Sequence, residues 1–141
     1  MIVRDALVSD WPAIERLLVA CALPLEGARE HLAMFSIGED GGIVGCAGAE
    51  VYGDAALLRS VAVASNTRAS GVGAALVTRT LERLKERGVR RVALLTTSAE
   101  AYFPRFGFRA VAREELPAAL TASRELTSAC PASAIAMLLM L

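Results

Sequence analysis

Apolar and polar positions divide this chain into short strand-like runs separated by two clear helical stripes. Ile2 and Val3 open a short strand. Ser9, Asp10, Trp11 and Pro12 read as a helix start, because proline is tolerated in a first turn whose N–H groups have no helical partner. Ile14, Leu17, Leu18 and Cys21 then fall at i, i+3, i+4 and i+7, with Glu15 and Arg16 off the stripe. Leu23-Pro24 ends that helix. A second helical piece is expected over residues 26–33, carrying His31, then a strand over 34–37 and a hairpin turn at Asp40-Gly41-Gly42. Residues 43–52 alternate with period two: Cys46, Gly48, Glu50 and Tyr52 share one face, and Gly45, Ala47, Ala49 and Val51 the other. Small residues dominate this strand, which suits the close approach of a neighbouring layer or of a ligand.

Residues 57–76 organise the rest. Leu57, Leu58, Val61 and Val63 supply a strand that stops at Ser65-Asn66, and Arg68, Ala69, Ser70, Gly71, Val72, Gly73 and Ala74 lead into an amphipathic helix marked by Leu76, Leu81 and Leu84. Gly71 and Gly73 therefore sit at a helix N-terminus. Unpaired N–H groups and the positive end of the helix dipole favour a phosphate there, and residues without Cβ let a pyrophosphate approach the backbone. No Gly-Lys-Ser/Thr follows, which argues against a P-loop, and position 76 is leucine where a dinucleotide fingerprint would want a third glycine. Gly88 is placed to end the helix. Residues 89–96 form a strand parallel to the one before the helix, because the helix carries the chain back across the sheet. Thr97 and Glu100 have capping-box spacing, so a short helix is expected from there through Phe103. A short strand at 108–111, a helical or loop stretch over 114–126, and a buried strand at 133–141 complete the chain, with no linker or repeat. A single domain over residues 1–141 is expected.

Composition narrows the partners. Hydrophobic residues make up 55% of the chain, yet no apolar run approaches the ~20 residues of a membrane helix. The N-terminus lacks the charged and apolar segments of a signal peptide, so a cytoplasmic protein is expected. Lysine plus arginine and aspartate plus glutamate each number 15, which makes no case for nucleic acid or an acidic membrane surface. Cys21, Cys46 and Cys130 are widely spaced and accompanied by one histidine, His31, so no metal site and no disulfide is expected. Cys130, with no basic motif beside it, reads as packing rather than as a nucleophile.

An Arg-X-X-Gly-X-Gly/Ala loop directly after a Val-Ala-Val strand resembles the acetyl-CoA signature of the GNAT N-acetyltransferases. The stretch 96–108, TTSAEAYFPRFGF, is similar to that family's second signature. The resemblance implies an α/β fold: one mixed sheet whose central parallel strand pair splays to admit acetyl-CoA, with helices on both faces. It implies acetyl-CoA as co-substrate, its pantetheine pairing as an extra strand along Val61, Ala62 and Val63, and its pyrophosphate held by residues 68–74. One position departs from the family pattern: Phe103 stands four residues before Gly107, where a tyrosine often protonates the leaving thiolate. Tyr102 is its neighbour, but on a helix it would point about 100° away. With Phe103 in that place, the stretch from Leu95-Thr96-Thr97 through Phe108 is similar to the glutamate N-acetyltransferase branch. The segments LLRSVAV, LLTTSAEAYF and CPASA resemble members associated with arsenic resistance, which implies an amino-acid-like acceptor, an arsenic-bearing one included.

Acetyl transfer to an amine needs a neutral nitrogen, so a base near the thioester is sought. Glu50, an isolated carboxylate on a small, apolar strand, is the first candidate, with Tyr52 on the same face to orient a water or act as the acid. Arg59, two residues before Val61, is expected on the same face as Val61. It reads either as a clamp on a substrate carboxylate or as an ion-pair partner of Glu50. Thr96 is a further substrate-binding candidate and Phe103 a cofactor-binding one. The expected function is direct transfer of acetyl from acetyl-CoA to a small primary amine, with a non-catalytic acyl-CoA-binding module and a protein-lysine acetyltransferase as alternatives. A homodimer is left open.

Overall fold

The computed structural model describes residues 1–129 and 131–141, with the side chains of residues 68–70 and 128–129 outside the described set. Cys130, and any role for it, therefore lies outside the described residues. The elements are β1 (Ile2–Asp5), α1 (Trp11–Ala20), β2 (Ser36–Glu39), β3 (Ile43–Tyr52), β4 (Ala55–Val63), α2 (Val72–Glu86), β5 (Arg91–Thr96), β6 (Arg109–Val111) and β7 (Ile135–Met140). All seven strands join one sheet in the order β1-β2-β3-β4-β5-β7-β6. Among the described residues, only β4 and β5 pair in parallel; the other neighbours are antiparallel.

The two faces of the sheet are covered differently. Ile14 and Leu18 of α1 are fully buried with Phe35, Ile37, Cys46 and Ala62 on one face. Farther along the same face, Ala55, Leu57, Ala93 and Leu138 pack against Leu120 and Leu126 of the segment before β7. The opposite face receives α2, where Val77 and Leu84 meet Ala56, Leu58, Val92 and Leu94. An aromatic group of Phe103, Phe106 and Phe108 extends that layer, with ring centroids 5.9 Å apart for Phe103 and Phe108. The small residues of β3 serve the layers on either side: the Phe35 ring lies where a Cβ on Gly48 would sit, and Leu76 crowds Gly45.

Three expectations change. Residues 97–102 form no helix; a 3-10 turn occupies Phe103–Phe106, and the cap belongs to Thr96, whose Oγ1 accepts a hydrogen bond from the Ala99 N–H at 2.9 Å. Proline at position 104 lacks the N–H that a longer helix would use. The stretch before β7, open between helix and loop in the sequence, folds as short 3-10 turns and a π turn over Glu125–Ala129. The second expected helical piece is a 3-10 segment, Arg29–Met34, kinked at His31.

The third change matters most for the site. Pairing between β3 and β4 slips between Cys46 and Gly48, so that Cys46 faces Ala62 while Gly48 faces Arg59. The extra residue on β4 is a bulge at Ser60, whose φ is 58°. Left-handed backbone at a non-glycine residue costs about 1–2 kcal/mol. Simple alternation would put Arg59 and Val61 on one face, but the bulge separates them. Arg59 shares the Gly48, Glu50 and Tyr52 face, whereas Val61 packs with Ala47, Val72 and Leu76 on the α2 side.

Candidate active site

Strands β4 and β5 run together only over Ala55, Ala56 and Leu57, which face Arg91, Val92 and Ala93. Beyond that register they part, although β4 continues to Val63 and β5 to Thr96. The outer edge of β5 remains paired with β7 up to Thr96 and Ile135, so the gap opens on the β4 side alone. The opening is a cleft of about 1240 Å³. Residues 58–63 of β4 form one wall and 94–99 the other. Gly71, Gly73 and Ala74 line one end, and Pro24, Glu26, Arg59 and Glu125 the other.

The glycine end suits a phosphate. Gly71 enters α2 with φ 82°, a conformation glycine adopts without a Cβ penalty, and nothing lies within 4 Å of where a Cβ would be. Gly73 is closely covered: a Cβ there would lie 3.3 Å from both the Tyr102 hydroxyl and Val63 Cγ2. Because residues 97–102 are not helical, Tyr102 and Phe103 both line the cleft. The Arg105 guanidinium stacks 4.2 Å from the Tyr102 ring centroid and its Nε donates to the Tyr102 carbonyl at 2.8 Å. The Val72 side chain is fully buried with Ala47 and Leu76. The side chains of Arg68, Ala69 and Ser70 lie outside the described residues. Thr96 also lines the cleft. These groups fit a CoA-type ligand: a β4 edge that, among the described residues, β5 leaves after Leu57, followed by a helix N-terminus carrying Gly71 and Gly73.

The opposite end is a buried polar cluster. Arg59, 2% exposed, donates from Nη1 to Glu50 Oε2 at 2.7 Å and to the Glu26 carbonyl at 2.6 Å, and from Nη2 to the Pro24 carbonyl at 3.0 Å. Its Nε donates to Ser60 Oγ at 3.0 Å and lies 3.1 Å from Glu125 Oε2. Of the two readings open for Arg59, the ion pair with Glu50 is present. Tyr52 donates to Glu50 Oε1 at 2.5 Å, and His31 Nε2 stands 3.7 Å from the same oxygen. Glu50 and Tyr52 are thus behind the cleft wall, joined to it through Arg59, whereas Arg59 and Glu125 form the wall itself.

Burial opposes ionisation of Glu50, but hydrogen bonds from Tyr52, Arg59 and Ser123 outweigh it and hold the carboxyl below its ordinary range. Burial, with Glu50 as acceptor, pushes Tyr52 up to about 12. Glu125 behaves oppositely. Burial, aided by Glu50 and Glu26 and opposed by Arg59, raises it to about 7. Burial also pushes the Cys46 thiol up to about 12, and it donates to the Ser60 carbonyl at 3.3 Å, tying the bulge to β3. Glu125 carries no periodic signal in the sequence. Its one mark is an acid between Arg124 and Leu126 in a stretch without helical or strand spacing.

Known proteins share this architecture. Residues 3–108 match the sequence profile of the Acetyltransferase (GNAT) family. An uncharacterized N-acetyltransferase of Chlorobaculum tepidum is 31% identical over 82% of this chain and 79% of its own length. An amino-acid acetyltransferase of Neisseria meningitidis is 29% identical over 82% of this chain, which spans only 29% of that relative's length. Among solved structures, Mycobacterium tuberculosis Rv2747 in complex with CoA and NLQ superposes with a TM-score of 0.86 at 28% identity, covering 100% of this chain and 99% of its own. N-acetylglutamate synthase of Neisseria gonorrhoeae, complexed with coenzyme A and N-acetyl-glutamate, shares the fold with a TM-score of 0.83 at 23% identity, over 99% of this chain and 35% of its own. The parted strands, the glycine-led helix and these matches agree: the chain belongs to the GNAT family of acetyltransferases, enzymes that use acetyl-CoA as co-substrate.

Proposed function

We propose that this acetyltransferase, a single domain over residues 1–141, transfers acetyl directly to the primary amine of a small, amino-acid-like acceptor. The observation that carries this reading is the continuity of one cleft from the α2 N-terminus, past the parted β4 edge, to the polar end at Arg59 and Glu125. In this reading the backbone of residues 68–74 holds the pyrophosphate, the edge of Val61, Ala62 and Val63 aligns the pantetheine, and Phe103 packs beside it. An N–H of the same edge steadies the oxyanion that develops on the thioester carbonyl. The acceptor enters from the end bounded by Pro24, Glu26 and Thr96, where Glu50 and Tyr52 act from behind the wall by fixing Arg59.

Support for a small acceptor comes from the burial of the polar lining, with Arg59 2% and Glu125 4% exposed, which suits a small molecule entering the cleft. Support for an amino-acid-like one comes from the amino-acid acetyltransferases among its relatives. The arsenic-bearing analogues implied by the sequence resemblance belong to the same acceptor class. A free-thiol release assay with acetyl-CoA tests the reading, using amino acids, their arsenic- and phosphorus-bearing analogues, polyamines and a lysine peptide. Release dependent on an amino acid or analogue is expected. Release with the lysine peptide alone would overturn it.

A further inference from the structure

We propose that Glu125 is the base that takes the proton from the acceptor's ammonium group, and that Arg59, Glu50 and Tyr52 are positioning residues that hold it there. The inference rests on the amine-acetylation reading above and adds to it the group that activates the amine. Three observations converge on Glu125. Among the described residues it is the buried carboxylate that lines the cleft, 4% exposed, whereas the other lining acid, Glu26, is on the surface. It stands beside Arg59 and Ser60, at the bulge where β4 has already left β5. Its backbone is fixed on both sides: the Ser123 carbonyl accepts from Thr127 N–H at 3.1 Å and from Thr127 Oγ1 at 2.8 Å, and Leu126 packs into the apolar cluster of Leu57 and Leu120.

Glu50 cannot take this part without dismantling its surroundings. Its Oε2 accepts from Arg59 and its Oε1 from Tyr52, so a proton arriving there would displace one of two short hydrogen bonds. Glu125 Oε2 lies 3.1 Å from Arg59 Nε, and Glu125 lines the cleft. The step balances simply. Glu125 carboxylate accepts one ammonium proton, leaving a neutral amine whose lone pair attacks the thioester carbonyl. The C–S bond then breaks, the second nitrogen proton is released, and the CoA thiolate accepts one proton to leave as the thiol.

The groups facing Glu125 are Arg59 from β4, Glu50 from β3 and Glu26 from the segment after α1, with Arg124 its chain neighbour and His31 on the far side of Glu50. Its carboxyl changes charge near neutrality, so activity rises with pH through that region as the base loses its proton.

The experiment compares wild type with Glu125→Gln and Glu125→Asp. Thermal melting checks the fold, calorimetry the acetyl-CoA affinity, and thiol release across pH the turnover with whichever amine the wild type uses. Glu125→Gln is expected to keep acetyl-CoA affinity and lose about 100-fold or more in kcat, together with the limb near neutrality. Glu125→Asp is expected to keep that limb with reduced kcat, and it decides the matter if the glutamine variant does not fold. A folded glutamine variant with kcat within about threefold of wild type and the same limb overturns the assignment; so does an aspartate variant without the limb. A wild type that binds acetyl-CoA but acetylates no amine overturns instead the reading on which the assignment stands.

Discussion

Tyr52 donates a 2.5 Å hydrogen bond to Oε1 of Glu50, while Arg59 holds the other oxygen of the same carboxylate at 2.7 Å. A buried carboxylate with charge-assisted partners on both oxygens stays ionised and fixes whatever it touches. Here it fixes a guanidinium that also gathers the carbonyls of Pro24 and Glu26.

Tyr52→Phe therefore lowers stability by about 1.5 kcal/mol at neutral pH, the lower end for a hydrogen bond to a charged group. The effect depends on pH with a defined sign. Glu50 is held below its ordinary 4.5, so the stability that its partners supply is present above that value and is lost as pH falls through the lower folded value. The variant and wild type converge in acid. On the alkaline side, Tyr52 keeps its proton up to about 12 against an ordinary 10, so wild-type stability declines as pH rises across that interval and the phenylalanine variant escapes this loss. Urea midpoints at about pH 4, 7 and 11 read both limbs. A constant offset between the two proteins at all three would sink the account.

Arg59→Met leaves Glu50 and Glu125 buried beside a thioether in place of a cation. Removing one partner of a buried ion pair costs about 3–5 kcal/mol, because the remaining charge is uncompensated. Adding Glu50→Gln removes one of those charges, so the double variant recovers part of the loss, with a coupling of about 0.5–3 kcal/mol. Thermal unfolding of the two single variants and the double variant measures it. Additive losses would show that Arg59 and Glu50 act independently.

The halves of the cleft differ in how far the sequence exposes them. The glycine end reads directly from Val-Ala-Val, Gly71 and Gly73, because a strand, a turn and a helix N-terminus each leave a local mark. The period-two run of β3 is equally visible and puts Gly48, Glu50 and Tyr52 on one face. The bulge is not. Its left-handed residue is Ser60, where glycine would have signalled it, and one inserted residue is enough to move Arg59 away from Val61. Glu125 is hidden for a different reason: its segment is built from 3-10 and π turns, which have no hydrophobic period, and its burial depends on β3 and β4 some 65 residues and more earlier in the chain. Local chemistry is legible; the meeting of distant segments at a polar end is not.

Gly73 gives the cofactor end its own test. A methyl at this position would press on Val63 Cγ2 and the Tyr102 hydroxyl, each 3.3 Å from the added carbon. Alanine is a better helix former than glycine by about 1 kcal/mol, so Gly73→Ala should not unfold α2. Its cost should fall on the ligand: the methyl moves the tyrosine outward and narrows the approach to the α2 N-terminus, raising the acetyl-CoA dissociation constant by about tenfold, which is about 1.4 kcal/mol. Tyr102→Phe removes the crowded oxygen. Combined with Gly73→Ala, it should restore much of the affinity that alanine alone loses, while Val63 continues to resist the methyl. Calorimetric titration with acetyl-CoA of wild type, each single variant and the double variant closes the cycle. Unchanged affinity in Gly73→Ala would mean that acetyl-CoA does not approach the helix through this glycine. Loss in the alanine variant without recovery in the double variant would place the obstruction at Val63 and leave the tyrosine hydroxyl out of the approach.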